Sequence, residues 1–202
     1  MPETEPGLAS CFGYGSLIWK PPPEHVVSSR IGRIRGYVRR FAQSSSDHRG
    51  TPQHPGRVVT LVETTTWRAL CTSGDEPDAL ATHEDCWGVI YYFDPIHSVS
   101  VRSYMDHREK DGYTLQPVQV VCPTSSGDEI TMCYVGLPAN PSFVGPAPLH
   151  ALANHIAHSK GPSGRNDQYL FALERAVETL SPLAHDEYLS TLADLVRKCN
   201  AS

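Results

Sequence analysis

A change of hydrophobic period divides this chain and limits the folds open to it. The first two-thirds is written in short β-type segments. Residues 34–41 alternate, with Arg33, Arg35, Tyr37 and Arg39 on one side and Ile34 and Val38 on the other, as in a half-buried strand. Residues 57–63 and 87–93 are rich in β-branched and aromatic side chains, and residues 113–121 and 130–135 give two more candidates. One helix interrupts them. Asp94 suits its N-cap, Pro95 its first turn, and Ile96, Val99, Tyr104 and Met105 its apolar stripe, with an end between Arg108 and Gly112. The last third is helical: Leu149, Leu152 and Ile156, then Leu170, Leu173, Val177 and Leu180, then Leu189, Leu192, Leu195 and Val196. Pro182 separates the last two helices. Strands followed by helices predict an α+β domain, a curved or closed mixed sheet with helices packed on it. Residues 64–85 are polar and without clear period, and read as a long exposed loop.

The N-terminal residues Met1-Pro-Glu-Thr-Glu-Pro lack the basic and apolar regions of a signal peptide. Residues 1–10 therefore read as a flexible lead-in to a single domain over residues 11–200. A length of 202 residues suits one domain that buries about 70% of its unfolded surface. Seventeen basic against 22 acidic residues argue against nucleic acid or an anionic membrane as a partner. No apolar run approaches the roughly 18 residues of a spanning helix. Six cysteines without a Cys-x-x-Cys pair exclude zinc ribbons and thioredoxin-like motifs, and fit reduced core thiols in a cytoplasmic protein.

Within this frame, residues 12–21 carry the most chemistry: Phe-Gly-Tyr-Gly-Ser-Leu-Ile-Trp-Lys-Pro. Gly13 and Gly15 permit a tight loop whose N–H groups face an anionic or carbonyl-bearing ligand, anchored by Leu17, Ile18 and Trp19. Taken alone, the stretch reads rather as a glycine-containing β-turn between strands. A dinucleotide loop is excluded because Ile18 stands where the third glycine is required, and the chain has no Gly-Lys-Ser/Thr of a Walker loop.

Residues 106–111 pack six ionisable side chains into one helix end. Glu109 falls where helix gives way to loop, the position at which a partly buried carboxylate becomes a usable base. From composition alone, a solvated charged helix end is the preferred reading. Asp47-His48-Arg49-Gly50 reads as a polar turn, Ser16 has no identifiable base, and no Gly-x-Ser-x-Gly elbow is present. Residues 161–166 either offer free N–H groups beside Arg165 to a carboxylate or form a connecting turn before the helix of Tyr169. His150, His155 and His158 read as surface histidines, and no metal site is expected. Arg30, Arg33, Arg35, Arg39 and Arg40 read as a mostly solvated strand face.

Taken together, residues 12–21, 41–50 with Pro52 and 55–61, 104–113, 143–148, and 161–166 with 169–171 resemble the ChaC-type, glutathione-specific γ-glutamylcyclotransferases. The resemblance implies a mixed β-barrel with surrounding helices and a helical C-terminal third. It also implies cleavage of glutathione to 5-oxoproline and Cys-Gly without a cofactor, in a monomer or homodimer. On it, Glu109 is the catalytic acid/base. The substrate cradle is Cys11, Phe12, Gly13, Tyr14, Gly15, Ser16 and Leu17, with Tyr169 lining the pocket. Two departures stand out: Ala42 replaces the usual aromatic after Phe41, and residues 64–85 are longer than in the shortest members. Two other readings remain. One keeps the chemistry with another γ-glutamyl amine or dipeptide as substrate; the other makes the fold a binding or regulatory protein.

Overall fold

The computed structural model describes residues 7–72, 85–109, 112–123 and 127–201. Strands β1 (Ser10–Gly13), β2 (Val26–Arg35), β3 (Tyr37–Ser45), β4 (Gly56–Glu63), β5 (Asp85–Phe93), β6 (Thr114–Val121) and β7 (Asp128–Val135) carry the first two-thirds. Helices α1 (Thr64–Leu70) and α2 (Ser98–Arg108) lie among them. Helices α3 (Leu149–His158), α4 (Asn166–Glu178) and α5 (Glu187–Ala201) form the last third, with a small hairpin of β8 (Lys160–Gly161) and β9 (Gly164–Arg165) between α3 and α4.

The sheet closes into a barrel in the order β1-β5-β2-β6-β7. All its pairings are antiparallel except β1 with β7, which makes the barrel mixed as expected. β3 and β4 form a separate two-stranded sheet.

Alternate residues of the barrel strands enter two cores. Phe12, Ile34, Ile90, Val118, Val120, Cys133 and Val135 join the large cluster that includes the apolar faces of α3, α4 and α5. Cys11, Val89, Tyr91, Phe93 and Tyr134 point the other way and are covered by Leu8, Val101 and Met105. β5 is thus buried on both faces, which is why residues 87–93 show no clean alternation.

Several expectations need correction. Residues 34–41 are not one strand: Gly36, at φ +74°, turns the chain from β2 into β3. A left-handed residue suits glycine, which has no Cβ to clash. The turn breaks the face on which the arginines were aligned. Arg39 and Arg40 are buried, not solvated. The Arg39 guanidinium reaches the Trp87 carbonyl, Cys86 Sγ at 3.2 Å and Asp186 at 3.5 Å, while Arg40 lies 4.3 Å from the Tyr188 ring centroid.

Residues 64–70, read as loop, are helix α1, whose Trp67 packs with Val38, Ala42 and Val62. Residues 73–84 of the same segment lie outside the described residues. The apolar stripe of α2 is also different. Ile96, Val99 and Tyr104 are exposed, while Val101 and Met105 make the buried contact. Asp94 does cap the preceding turn, accepting from Ile96 N–H at 3.0 Å. At the N-terminus, residues 1–6 lie outside the described residues, but Leu8 is buried and its N–H bonds Ser98 O at 2.9 Å. Leu8 joins the outer core with Cys11 and Val101.

Candidate active site

The end of α2, the turn after β1, the β3–β4 connection and the start of α4 converge on a cleft of about 440 Å³. Its walls include Ser16, Arg49, Arg108, Glu109, Tyr113 and Tyr169. A recess of about 40 Å³ shares Ser16, Glu109, Tyr113 and Tyr169 with it and adds Phe12, Tyr14, Gly15 and Leu17. Two segments nearly a hundred residues apart in sequence thus meet at one place.

The glycine loop is held by its ends. A Cβ on Gly13 would lie 2.5 Å from Leu17 Cβ, so the strand can double back into the turn of Ser16–Ile18 only with glycine there. Ile18 N–H bonds Gly15 O at 3.0 Å and Trp19 N–H bonds Ser16 O at 3.2 Å. A short turn of this kind uses its first carbonyls but leaves its first N–H groups without partners inside the turn. Tyr91 Oη donates to Leu17 O at 2.7 Å and Tyr14 Oη to Tyr134 O at 2.8 Å, fastening the loop to the barrel.

Glu109 is the C-cap of α2, its N–H bonded to Met105 O at 2.9 Å and its side chain 19% exposed. It is not a freely solvated helix end. A carboxylate at a helix C-terminus faces the negative end of the macrodipole. Arg108 opposes that effect with Nε 3.4 Å from Glu109 Oε1, and its Nη2 donates to Ser16 Oγ at 3.1 Å. Burial pushes the Cys11 thiol and the Tyr14 and Tyr169 hydroxyls above their ordinary values, and the charge of Glu109 acts in the same direction on all three. They stay protonated at neutral pH.

Tyr169 is fixed by aromatic packing, edge-on to Phe41 at 5.8 Å and Trp19 at 5.5 Å between centroids. Its hydroxyl is hydrogen-bonded by the Val59 backbone, and Tyr113 Oη donates to Val59 O at 2.9 Å. Asn166 locks α4 to β4, accepting from Arg57 N–H and donating to Arg57 O, both at 2.7 Å.

Of the residues singled out from the sequence, Glu109, Phe12, Tyr14, Gly15, Ser16, Leu17 and Tyr169 border the recess together. Cys11 and Gly13 do not border it. Cys11 is buried with Leu17 and Met105 in the outer core, while Gly13 shapes the turn from behind. The sequence reading missed Arg108 and Arg49 as parts of the cleft. Both lie within quoted segments, but nothing in a linear pattern distinguishes a cleft arginine from a solvated one.

Other candidate features resolve as structural. Arg165, considered for a carboxylate ligand, is paired with Asp167, Nη2 to Oδ2 at 2.5 Å, and reaches Asn200. His155 Nε2 and His158 Nδ1 each lie within hydrogen-bond distance of a backbone carbonyl, of Pro55 and Asn154 respectively. Among the described residues the cysteines are unbridged, and four of the six are buried.

Known proteins share this arrangement of chain. A family model described as ChaC-like protein matches residues 10–199. The glutathione-specific gamma-glutamylcyclotransferase of Schizosaccharomyces pombe is 40% identical over 192 residues, covering 93% of this chain and 91% of that protein. The protein of the same name from Saccharomyces cerevisiae is 37% identical and covers 93% and 95%. The crystal structure of the glutathione-specific γ-glutamyl cyclotransferase from yeast superimposes with a TM-score of 0.81 at 35% identity, over 96% of this chain and all of that one. With a family model spanning residues 10–199 and relatives 40% and 37% identical over 91% and 95% of their own length, this chain belongs to the ChaC-like family of γ-glutamylcyclotransferases.

Proposed function

We propose that this chain cleaves glutathione to 5-oxoproline and Cys-Gly, with Glu109 as the acid/base. The observation that carries the reading is the half-enclosed carboxylate of Glu109 on the wall of a recess that also contains the glycine loop. The relatives' names and the extent of the match support glutathione as the substrate.

The substrate contains its own nucleophile. Its α-amine attacks the γ-carbonyl, so one C–N bond forms, closing a five-membered ring, and the amide bond to cysteine breaks. The α-ammonium gives up two protons in becoming the lactam N–H, and the cysteinyl nitrogen gains two in leaving as an ammonium. Glu109 carries them in turn from the first nitrogen to the second, so protons and electrons balance. General acid–base assistance of this kind contributes roughly 10²–10⁴-fold. Holding the glutamyl chain in its cyclising conformer can contribute about 7–11 kcal/mol more, because orientation is settled before the reaction. The first N–H groups of the Ser16 turn, without partners inside the turn, are the donors assigned to the substrate carboxylate or the developing oxyanion. Tyr14 and Tyr169, kept protonated by burial, furnish rigid neutral walls.

The test is 5-oxoproline release, followed by mass spectrometry, with glutathione and with γ-glutamyl dipeptides. Glu109→Gln keeps the shape and removes the base. It is expected to lower kcat by roughly 10²–10⁴-fold with an unchanged circular-dichroism spectrum. Wild-type turnover by that variant would remove Glu109 from the mechanism. Faster release from dipeptides than from glutathione would transfer the activity to another γ-glutamyl substrate, and no release from any would favour a binding role.

A further inference from the structure

We infer that Arg49 receives the glycine carboxylate of the tripeptide and so makes the cleft selective for γ-glutamyl peptides that end in a carboxylate. This rests on the cyclotransferase reading and extends it to the far end of the same cleft.

The cleft is chemically polarised. Among the described residues, the recess that holds the glycine loop and Glu109 has no cationic side chain in its wall. The outer cleft adds the cations Lys20, Arg49 and Arg108. Arg108 is already committed to Ser16 and Glu109, and Lys20 is an exposed residue on a flexible stem. Arg49 differs from both. It is half-buried, and among the described residues it has no carboxylate partner. Burial lowers its affinity for the proton, the mark of a guanidinium that has lost water without gaining an anion.

Arg49 is also held in advance. Nη1 donates to Arg165 O at 3.2 Å, and the guanidinium carbon lies 5.5 Å from the centroid of the Tyr169 ring. Its backbone is fixed too: Arg49 N–H bonds Ser45 Oγ at 3.1 Å, and Ser163 N–H bonds the neighbouring His48 O at 2.9 Å. A guanidinium fixed at one nitrogen still presents further N–H donors, the fork that matches a carboxylate.

Tyr169 connects the two parts of the site. Tyr169 borders both the recess and the outer cleft, and Arg49 stacks over its ring. With the γ-glutamyl group beside Glu109, the cysteinyl portion passes Tyr169 and the terminal carboxylate arrives at Arg49. A γ-glutamyl amine with no such carboxylate leaves the half-buried guanidinium without an anion for its remaining N–H donors, and a site built to hydrogen-bond a substrate group discriminates against an analogue that lacks it.

The experiment compares kcat/KM for glutathione and for its glycine carboxamide, in the wild type and in Arg49→Met, which keeps an apolar stem. The wild type is expected to prefer glutathione by roughly 10- to 100-fold, the range for a hydrogen bond to a charged group. Arg49→Met should lose a similar factor on glutathione, chiefly through KM, and turn over the carboxamide nearly as the wild type does. Arg49→Lys, which keeps charge without the fork, should recover part of the preference. Equal wild-type kcat/KM on the two substrates overturns this assignment alone, whatever the variants do. An equal loss by Arg49→Met on both substrates also overturns it, because the residue would then only support the cleft. Absence of 5-oxoproline from every γ-glutamyl compound overturns the cyclotransferase reading, and this assignment with it.

Discussion

Arg108 joins Ser16, 92 residues earlier in the chain, through an Nη2–Oγ hydrogen bond of 3.1 Å, while its Nε stays 3.4 Å from Glu109 Oε1. One guanidinium thereby sets the distance between the glycine loop and the carboxylate. Replacing it with methionine keeps the packing of the stem but frees both partners. Arg108→Met is expected to lower kcat/KM for 5-oxoproline release by up to about 100-fold, the scale of an ångström-sized misplacement. Arg108→Lys should recover only part, since an ammonium cannot hold both partners as a planar fork does. Full recovery by lysine would mean that charge alone matters.

Tyr169 separates packing from hydrogen bonding. Its ring is packed against Phe41 and Trp19, and its hydroxyl takes a hydrogen bond from the Val59 backbone. Tyr169→Phe retains the first and removes the second, at a stability cost of about 1 kcal/mol. Tyr169→Ala also loses the aromatic contacts and should cost about 3–5 kcal/mol. Urea denaturation of the two variants distinguishes them; equal midpoints would show that the ring contributes nothing beyond its hydroxyl.

Trp67 tests the correction to the segment after β4. It is 3% exposed and packed on Val38, Ala42 and Val62. Trp67→Ala is expected to destabilise by about 3–5 kcal/mol, read as a lower thermal midpoint. A substitution in a solvated loop would stay within about 0.5 kcal/mol.

Asp167 supplies a pH dependence to stability. Burial acts to raise its carboxyl pKa, but hydrogen bonds from Arg165, Asn200 and Gln168 N–H outweigh that and hold it below the ordinary 3.8. A carboxylate with a depressed folded pKa stabilises fully above 3.8 and loses that contribution as pH falls through its folded value. Between pH 6 and pH 3 the thermal midpoint of the wild type should therefore fall further than that of Asp167→Asn. Parallel falls would remove this carboxylate as a source of acid sensitivity.

Much of the architecture was legible in order and type. The β4, β5, β6 and β7 segments and the apolar faces of α3, α4 and α5 follow from local period, because each buries one stripe or face against a neighbour. The errors have a common origin. Residues 34–41 alternate well enough to pass for one strand, yet a single left-handed glycine reverses the chain inside them. Arg39 looks solvated by composition, but the turn sends it under β5, where a thiol, a carbonyl and Asp186 await it. Ile96 in the turn before α2 and Val99 on it are exposed rather than core, because no local rule shows which side of a short helix the barrel will occupy.

The sequence by itself determined the succession of strands and helices, the turn made possible by Gly13, and, through resemblance, the interest of Glu109. Those properties depend on local sterics and periodicity or on a recognisable run of residues. Tertiary structure decided which of the chain's arginines are buried and which line a cleft, that Glu109 is half-enclosed at a helix end, and that Arg108 connects it to Ser16. Burial and through-space charge depend on which distant segments the barrel brings together. Linear spacing contains no measure of those distances.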